Sequence, residues 1–348
     1  MATSTVKQSV GIDVSKKELS VCFSTMEQGQ RIRILSTKSF ANNGEGLRKL
    51  DSWVRSHRKD ADVPFAAVME ATGVYYEEAA YFLKAQGWAV SVLLPNSTKA
   101  FGRSLNVKSK TDAIDAKVLA QMALERELPG WDPLTPKMLT IKRLCRERVA
   151  LLQHKTAALN QLEAMDCAHD TGRDSAERGK AHVRFLEEQV KAVERDIQRE
   201  VTSDRSLKEK LGKVCTIKGV GLVTAATVIA ETNGFALFKS KAQLVSYAGY
   251  DVVENQSGSS VRGRTRISKK GNSHLRRAMH FPALVAVKHV PEMKALFERV
   301  FDETRVKMKG YVAVQRKLLV LIYTLYKRDM AYDQACYQKT KDALQPKK

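Results

Sequence analysis

The chain has 348 residues, with 59 Lys and Arg against 38 Asp and Glu, and therefore a formal net charge of +21. This length predicts two or three domains, and 43% hydrophobic residues exclude wholesale disorder. The longest apolar run, residues 318–326, is about half of what a bilayer-spanning helix needs, and the N-terminus lacks the apolar stretch of a secretory signal. We therefore expect a cytoplasmic protein that is not embedded in a membrane.

Positive charge is concentrated in the last third of the chain. Residues 213–348 contain 25 Lys and Arg but only 10 Asp and Glu, so they carry most of the net charge. A basic surface attracts phosphate groups and releases their counterions. The expected partner is therefore a nucleic acid, because a solvated basic face on an ordinary enzyme rarely shows so uneven a distribution.

Strand and helix patterns alternate in the first third of the chain. Strands are predicted at residues 9–14, 19–24, 31–36, 65–69 and 88–94, the last closed by Pro95. Helices are predicted at residues 44–56 and 76–85, and a further helix begins near Thr111. The order βββαβαβα is that of the ribonuclease-H-like fold, in which a mixed sheet carries helices on both faces.

The rest of the chain is predicted to be mainly helical. Apolar residues between 183 and 197 recur in steps of three and four, which indicates a narrow helical seam, and the charged stretch 166–180 predicts the turn of an antiparallel hairpin. We expect this hairpin to be an arm for dimerisation. The predicted divisions are a catalytic domain at 1–136, the arm at 137–212, a C-terminal domain at 213–330 and a basic tail at 331–348.

Four acidic residues of the first domain can act together. Asp13 lies on the strand face opposite its apolar neighbours, Glu70 follows a strand end, and Asp112 and Asp115 share one helix face. Each acid also has an ordinary structural explanation, such as a favourable position at a helix N-terminus. As a set they can bind a pair of Mg²⁺ ions for phosphodiester chemistry. The sequence therefore predicts a metal-dependent site built from these four carboxylates.

A sugar kinase is an alternative, because the segment Gly11-Ile12-Asp13 also occurs in actin-like kinases with the same core. Such enzymes need glycine-rich loops whose backbone N–H groups hold phosphates. The later sequence contains no Asp-Gly-Gly or comparable loop. This absence argues against a kinase.

Two segments of the last third are suited to nucleic-acid contact. The glycine pattern of Lys218, Gly219 and Gly221 is that of a helix-hairpin-helix element that binds phosphate, although a tight turn between two helices explains it equally well.

The second segment is strongly basic: between residues 255 and 291 there are eight Lys and Arg and no acid. The predicted contacts in this basic segment are Arg262, Arg264, Arg266, Lys269, Lys270, Arg276 and Arg277. A serine beside them can attack phosphorus, but such a serine is usually only a solvated or phosphate-contacting hydroxyl.

Five motifs, in order, resemble those of the DEDD transposases of the IS110 type and of the related Piv-type DNA invertases. They are Gly-Ile-Asp13-Val-Ser, Met-Glu70-Ala-Thr-Gly, Lys-Thr-Asp112-Ala-Ile-Asp115-Ala, Ile-Lys-Gly-Val-Gly, and Ser257-Gly-Ser-Ser-Val-Arg-Gly followed by Ser-Lys-Lys-Gly-Asn. The resemblance implies a RuvC-like N-terminal domain, a coiled-coil arm and a C-terminal transposase domain of the Transposase-20 type.

The resemblance also implies roles for residues and partners. Asp13, Glu70, Asp112 and Asp115 become the Mg²⁺-binding tetrad, and Ser257 becomes a nucleophile that forms a covalent phosphoserine link to DNA. The implied partners are donor and target DNA and a noncoding bridge RNA that base-pairs with both. Because tetrad and serine lie on different domains, the family's site is assembled between protomers of a homodimer or homotetramer. The alternatives are a site-specific invertase of the same architecture and a non-catalytic nucleic-acid-binding protein.

Overall fold

The computed structural model describes residues 4–334, with gaps at 59, 61, 108, 110, 170–171, 237, 255, 258–260 and 263–264. At residues 173, 256, 257, 261 and 262 it describes the backbone alone. The chain divides into two compact units, Met1–Pro133 and Leu134–Lys348. None of the described helices is both long enough and apolar enough to cross a bilayer.

The first unit is a five-stranded mixed sheet with helices packed on it. Its strands are β1 (Thr5–Val14), β2 (Glu18–Glu27), β3 (Ile32–Ala41), β4 (Phe65–Glu70) and β5 (Val90–Leu93). Its helices are α1 (Gly44–His57), α2 (Tyr76–Ala85), α3 (Pro95–Ser104) and α4 (Asp112–Glu125). The strand order is β3-β2-β1-β4-β5; β1, β2 and β3 pair antiparallel, whereas β4 and β5 continue parallel to β1. This topology confirms the predicted ribonuclease-H-like fold.

Helices cover both faces of the sheet, as the sequence predicts. On one face, Val10 and Ile12 of β1 are fully buried in a core that includes Leu47 of α1 and Leu83 of α2. A second core lies where α3 and α4 pack on β4 and β5. Because both faces of β1 are buried, this strand is the centre of the unit.

Helix α3 is an element that the sequence prediction lacks. Pro95 ends the strand as predicted, but it is also the first residue of a ten-residue helix. Proline suits this position because its missing N–H would have no partner in the first turn and its fixed φ angle is helical. The polar residues that follow Pro95 resemble a loop in sequence, yet they form a helix whose inner side carries the buried Phe101.

In its described residues, the second unit is helical apart from four two-residue strands. Its helices are α5 (Pro136–Asp166), α6 (Arg173–Thr202), α7 (Arg205–Val214), α8 (Leu222–Glu231), α9 (Lys241–Tyr247), α10 (Ser273–His289), α11 (Pro291–Thr304) and α12 (Lys307–Arg328). The short strands β6 (Val252–Val253) and β9 (Arg266–Ile267) pair antiparallel, as do β7 (Gln256–Ser257) and β8 (Val261–Arg262). The predicted helical character of this region is confirmed.

Helices α5 and α6 form a long hairpin with a narrow apolar seam. Ala158 of α5 packs against Val183 and Leu186 of α6. Ion pairs flank this seam, with 2.6 Å between Arg148 and Glu194 and 2.7 Å between Lys155 and Glu187. The helices extend to Asp166 and from Arg173, so the connection is shorter than the predicted turn at 166–180.

Candidate active site

Glycine in β1 brings helix α4 into direct contact with the sheet. Gly11 lies on the same face of β1 as Asp13, and a Cβ atom placed on it would be only 2.0 Å from the carbonyl oxygen of Ala116. The Ser9 hydroxyl donates a 2.9 Å hydrogen bond to the carbonyl of Ala120, one turn further along α4. Because no side chain separates strand from helix at Gly11, the first turn of α4 reaches the end of β1 that carries Asp13.

All four predicted acids line one cavity, of about 680 Å³, at this end of the sheet. Asp13 and Glu70 come from the adjacent parallel strands β1 and β4, and Asp112 and Asp115 come from the first turn of α4. Thr111 caps that helix by accepting from the amide of Ile114, as the sequence predicts. The fold therefore brings together carboxylates that are separated by about a hundred positions in the chain.

The four acids influence one another electrostatically. Partial burial raises the pKa of Asp13 to about 6, and repulsion from Asp112, Asp115 and Glu70 contributes in the same direction. Such crowding disfavours the ionised form of a carboxylate unless a cation lies nearby. The four carboxylates therefore repel one another, and a bound cation would reduce this repulsion.

The donor set of the cavity suits a hard divalent cation. Oxygen ligands from several carboxylates are what Mg²⁺ and Mn²⁺ prefer, and a cation would remove the repulsion that raises the pKa of Asp13. Within the described residues, no three acidic, His or Cys side chains already stand in a closed metal-binding arrangement. The residues of the cavity therefore fit a metal in type and charge.

Helix α3 supplies a polar contact that orients Glu70. The buried hydroxyl of Thr98 donates to a carboxylate oxygen of Glu70 and lies 3.0 Å from the carbonyl oxygen of Pro95. Thr98 also lines the acid cavity. The sequence prediction missed this residue because it assigned no helix after Pro95.

Residues 255–272, the first part of the basic segment, include the short strands β7, β8 and β9. Ser257 lies in β7, where its backbone pairs with Val261 of β8, but its side chain is outside the described part of the chain. Ser259, Ser260 and Arg264 are not among the described residues, and Arg262 is described only by its backbone. The predicted nucleophile thus falls where side-chain geometry is not described.

The remaining predicted nucleic-acid contacts differ in their surroundings. The side chains that are exposed are those of Lys218, Arg266, Lys269, Lys270 and Arg277. Arg276 is half-buried, and its guanidinium donates a 2.8 Å hydrogen bond to the carbonyl of Ala248. The contact with Ala248 indicates that Arg276 fixes the local backbone. The guanidinium of Arg277 lies 2.9 Å from the side-chain amide of Gln153.

The glycine hairpin joins α7 to α8. Gly219 has a φ angle of +94°, and a Cβ atom there would lie 2.9 Å from the carbonyl oxygen of Pro282 in α10. Both the backbone conformation and the packing against α10 therefore require glycine at position 219. Gly221 caps α8 without a side-chain hydrogen bond, and a Cβ atom there would meet open space.

A buried carboxylate anchors Asn272, which lies within the basic segment at the N-terminus of α10. Glu231 of α8 accepts two hydrogen bonds from Arg146, at 2.7 and 3.0 Å, and one from Asn272 at 2.8 Å. Burial opposes its ionisation, but Arg146 and Asn272 outweigh burial and lower the pKa of Glu231. Asn272 also caps α10 through its side-chain oxygen. The N-terminus of α10 is thus connected to α5 and α8 through Asn272 and Glu231.

Comparison with protein families decides the identity of the chain. Residues 10–165 match the family model of the IS110-type DEDD enzymes, described as Transposase, and residues 212–298 match the model described as Transposase IS116/IS110/IS902 family. The first match contains all four acids of the cavity, and the second contains the hairpin and the basic segment. The chain belongs to the IS110 family of transposases. It is therefore a DNA-recombining enzyme.

Two named relatives of this IS110-family chain match it over three quarters of its length or more. The pilin gene-inverting protein of Moraxella lacunata is 24% identical over 95% of this chain and 99% of its own length. The transposase for insertion sequence element IS1111A of Coxiella burnetii is 24% identical over 76% of this chain and 78% of its own. Among solved structures, Thermus thermophilus RuvC matches 36% of this chain and 99% of its own, with 14% identity and a TM-score of 0.28.

Another residue that the sequence prediction missed, Asn42, connects the two loops beside the acids of this IS110-family enzyme. Its side-chain Nδ2 donates to the carbonyl oxygens of Ser15, at 2.9 Å, and Tyr75, at 3.0 Å. Ser15 and Tyr75 follow the strands that carry Asp13 and Glu70, and both line the acid cavity. Asn42 therefore holds the ends of β1 and β4 in a fixed relation.

We expect Asn42→Asp to weaken divalent-cation binding by about 10-fold, because a carboxylate in place of the amide nitrogen repels both carbonyl oxygens. The measurement is a Mn²⁺ titration followed by thermal unfolding. The neighbouring Asn43→Asp is the matched control, since Asn43 caps α1 and aspartate caps a helix equally well. Equal Mn²⁺ affinity in wild type and Asn42→Asp would show that Asn42 does not position the acids.

Proposed function

We propose that this enzyme cuts and rejoins DNA strands with the acidic tetrad and Ser257, guided by a noncoding bridge RNA. The observation that carries the proposal is the gathering of Asp13, Glu70, Asp112 and Asp115 in one cavity of a ribonuclease-H-like sheet. A non-catalytic nucleic-acid-binding protein gains nothing from four mutually repelling acids on a surface that must approach phosphates. The tetrad thus favours catalysis over binding alone.

In this proposal Mg²⁺ is held by the four acids. When bound, the metal supplies positive charge that polarises the scissile phosphate. Ser257 Oγ forms a new bond to phosphorus as the bond from phosphorus to one deoxyribose oxygen breaks. The serine hydroxyl releases its proton to solvent, and the departing deoxyribose oxygen takes up a proton to become a free hydroxyl. The phosphoserine link retains the bond energy, so strands can be rejoined without ATP.

The partners follow from charge and from the family. The excess of Lys and Arg in residues 213–348 suits both donor and target DNA and a guide RNA. The α5–α6 hairpin presents a long, highly charged surface beyond its apolar seam, and we propose it as the arm through which protomers assemble into a dimer or tetramer. The composite site would then take its acids and its serine from different protomers.

A site-specific DNA invertase is the second candidate function. The observation that favours it is the pilin gene-inverting protein, which matches this chain over 95% of its length. The same residues and the same bond exchange serve inversion and transposition, because the two outcomes differ only in how the DNA sites are arranged. Residue chemistry alone therefore does not separate them.

To test the proposed guide RNA, the gene is expressed together with its flanking noncoding DNA, and the RNA that co-purifies with the protein is sequenced. We expect one structured RNA, transcribed from the flank, with segments complementary to two DNA sites. Adding that RNA and both DNAs to purified protein with Mg²⁺ should yield recombined strands. Recombination that proceeds equally well after ribonuclease treatment would contradict RNA guidance.

A further inference from the structure

The acid cavity is also lined by two basic residues of helix α3, Lys99 and Arg103. They are four positions apart, so they project from the same face of the helix. Both are exposed, whereas Thr98 and Phe101 on the inner side of α3 are buried. One face of α3 therefore presents two positive charges to the space beside the four carboxylates.

The position of this basic pair relative to the acids is fixed by packing. The hydroxyl of Thr98, adjacent to Lys99, donates a hydrogen bond to Glu70. Gly102, adjacent to Arg103, backs onto α4, where a Cβ atom would lie 3.7 Å from Cγ1 of Val118. Helix α3 is thus attached both to the strand that carries Glu70 and to the helix that carries Asp112 and Asp115.

We propose that Lys99 and Arg103 bind the non-bridging oxygens of the DNA phosphate that undergoes cleavage, an inference that rests on the function proposed above. Four carboxylates repel a phosphate, so an acidic cavity that accepts DNA needs compensating positive charge beyond its metal ions. Across the described part of the chain, neither Lys99 nor Arg103 forms an ion pair with a carboxylate. Arg103 can bind a phosphate bidentately, and Lys99 adds a point charge.

A purely electrostatic role predicts a different outcome. If Lys99 and Arg103 only neutralise the acids, removing them tightens cation binding and weakens DNA binding no more than removing exposed positive charge elsewhere on the protein. If they bind phosphate, their removal weakens DNA binding without weakening the metal, because lost positive charge favours a cation. Contact with DNA is therefore indicated by a loss of DNA affinity that exceeds the loss caused by removing charge elsewhere and is not accompanied by weaker cation binding.

The test compares wild type with the double variant Lys99→Ala/Arg103→Ala, using Mn²⁺ alone and a short DNA duplex with Mn²⁺ as probes. We expect the duplex affinity, measured by fluorescence anisotropy, to fall by about 10-fold or more, and the slope of log affinity against log salt to decrease by about 2. The Mn²⁺ concentration at half-saturation, measured by thermal shift, should stay equal or decrease. Unchanged DNA affinity, or Mn²⁺ binding that weakens in parallel, would overturn the proposal.

The matched control is Arg48→Ala, which removes an exposed arginine of α1 that does not line the acid cavity. The single variant Arg103→Ala is measured beside it and should weaken duplex binding more than Arg48→Ala does. Equal effects would mean that only the net charge matters and would contradict the assignment. Binding that behaves as expected without any recombined product would count against the proposed function and leave the phosphate contacts in place. The two failures are therefore distinguishable.

Discussion

Replacing Asp13 with Asn is expected to abolish strand cleavage while making the metal-free protein more stable near neutral pH. Cleavage should fall by about 1000-fold or more, because the neutral amide is a poor ligand for a hard divalent cation. Stability should rise because the amide removes a charge that is crowded by three other carboxylates. An inactive variant that is more stable than wild type has not lost activity through misfolding.

The sign of the stability change depends on pH. The folded protein holds the pKa of Asp13 at about 6, above the ordinary value of 3.8, so ionisation destabilises the fold as pH rises through this interval. Wild type and Asp13→Asn should therefore be equally stable near pH 3.5, and the variant should be more stable by about 1 kcal/mol near pH 7.5, since Asp13 is half-exposed and partly screened. Chemical denaturation in EDTA at both pH values measures this difference.

Divalent cation should reverse that order. Mg²⁺ or Mn²⁺ stabilises the state that binds it, so wild type should gain stability on addition of the ion and Asp13→Asn should gain much less.

Replacing any of the other three cavity acids should also abolish strand cleavage. These variants are Glu70→Gln, Asp112→Asn and Asp115→Asn. The control is Glu78→Gln, an exposed acid of α2 outside the cavity. Near wild-type recombination by any two of the four cavity variants would disprove the tetrad.

The sequence predicts the sheet of the first unit because its signals are local. Alternating apolar residues such as Val10 and Ile12 mark β1, and the cap at Thr111 marks the start of α4. The four acids could be predicted because each falls at a recognisable strand end or first helical turn. Their convergence in one cavity depends on the parallel pairing of β1 with β4, which no single segment encodes.

The parts of the site that the sequence did not predict depend on tertiary contacts. Thr98, Lys99 and Arg103 reach the cavity only because residues 95–104 form α3, and Asn42 matters only because its amide lies between two loop carbonyls. The close approach of α4 to Gly11 likewise has no signature in the sequence, since a glycine in a strand has several explanations. Packing between distant segments supplies this information.

The anchoring of the basic segment shows the same limit in the second unit. The sequence marks residues 255–272 as rich in Gly, Ser and Arg, but it does not indicate that Asn272 donates to Glu231, which Arg146 also holds. A buried carboxylate that is held by an arginine and by a further hydrogen bond favours one arrangement of its partners. Residues 255–272, which include Ser257, therefore end at the anchored Asn272. The residues between Ser257 and Asn272 include several that are predicted to contact DNA.

Ser257→Ala is expected to eliminate a covalent protein–DNA adduct while DNA binding is retained. If the serine attacks phosphorus, a reaction stalled on nicked DNA leaves protein joined to the strand through a phosphoserine bond. This adduct should survive SDS and disappear after protease treatment, which denaturing gels will show. Alanine removes the nucleophilic oxygen but none of the exposed basic side chains, so binding to DNA should change little.

The neighbouring serines provide matched controls for the same gel. Ser259→Ala and Ser260→Ala should keep the adduct, because only one hydroxyl in this segment is the proposed nucleophile. A RuvC-like domain that hydrolyses DNA with water leaves free ends, and no variant would then show an adduct in Mg²⁺. An adduct that persists in Ser257→Ala but vanishes in Ser259→Ala or Ser260→Ala would move the nucleophile by two or three positions. The covalent mechanism and the identity of its serine are thus tested separately, because the first depends on any adduct forming and the second on which hydroxyl it requires.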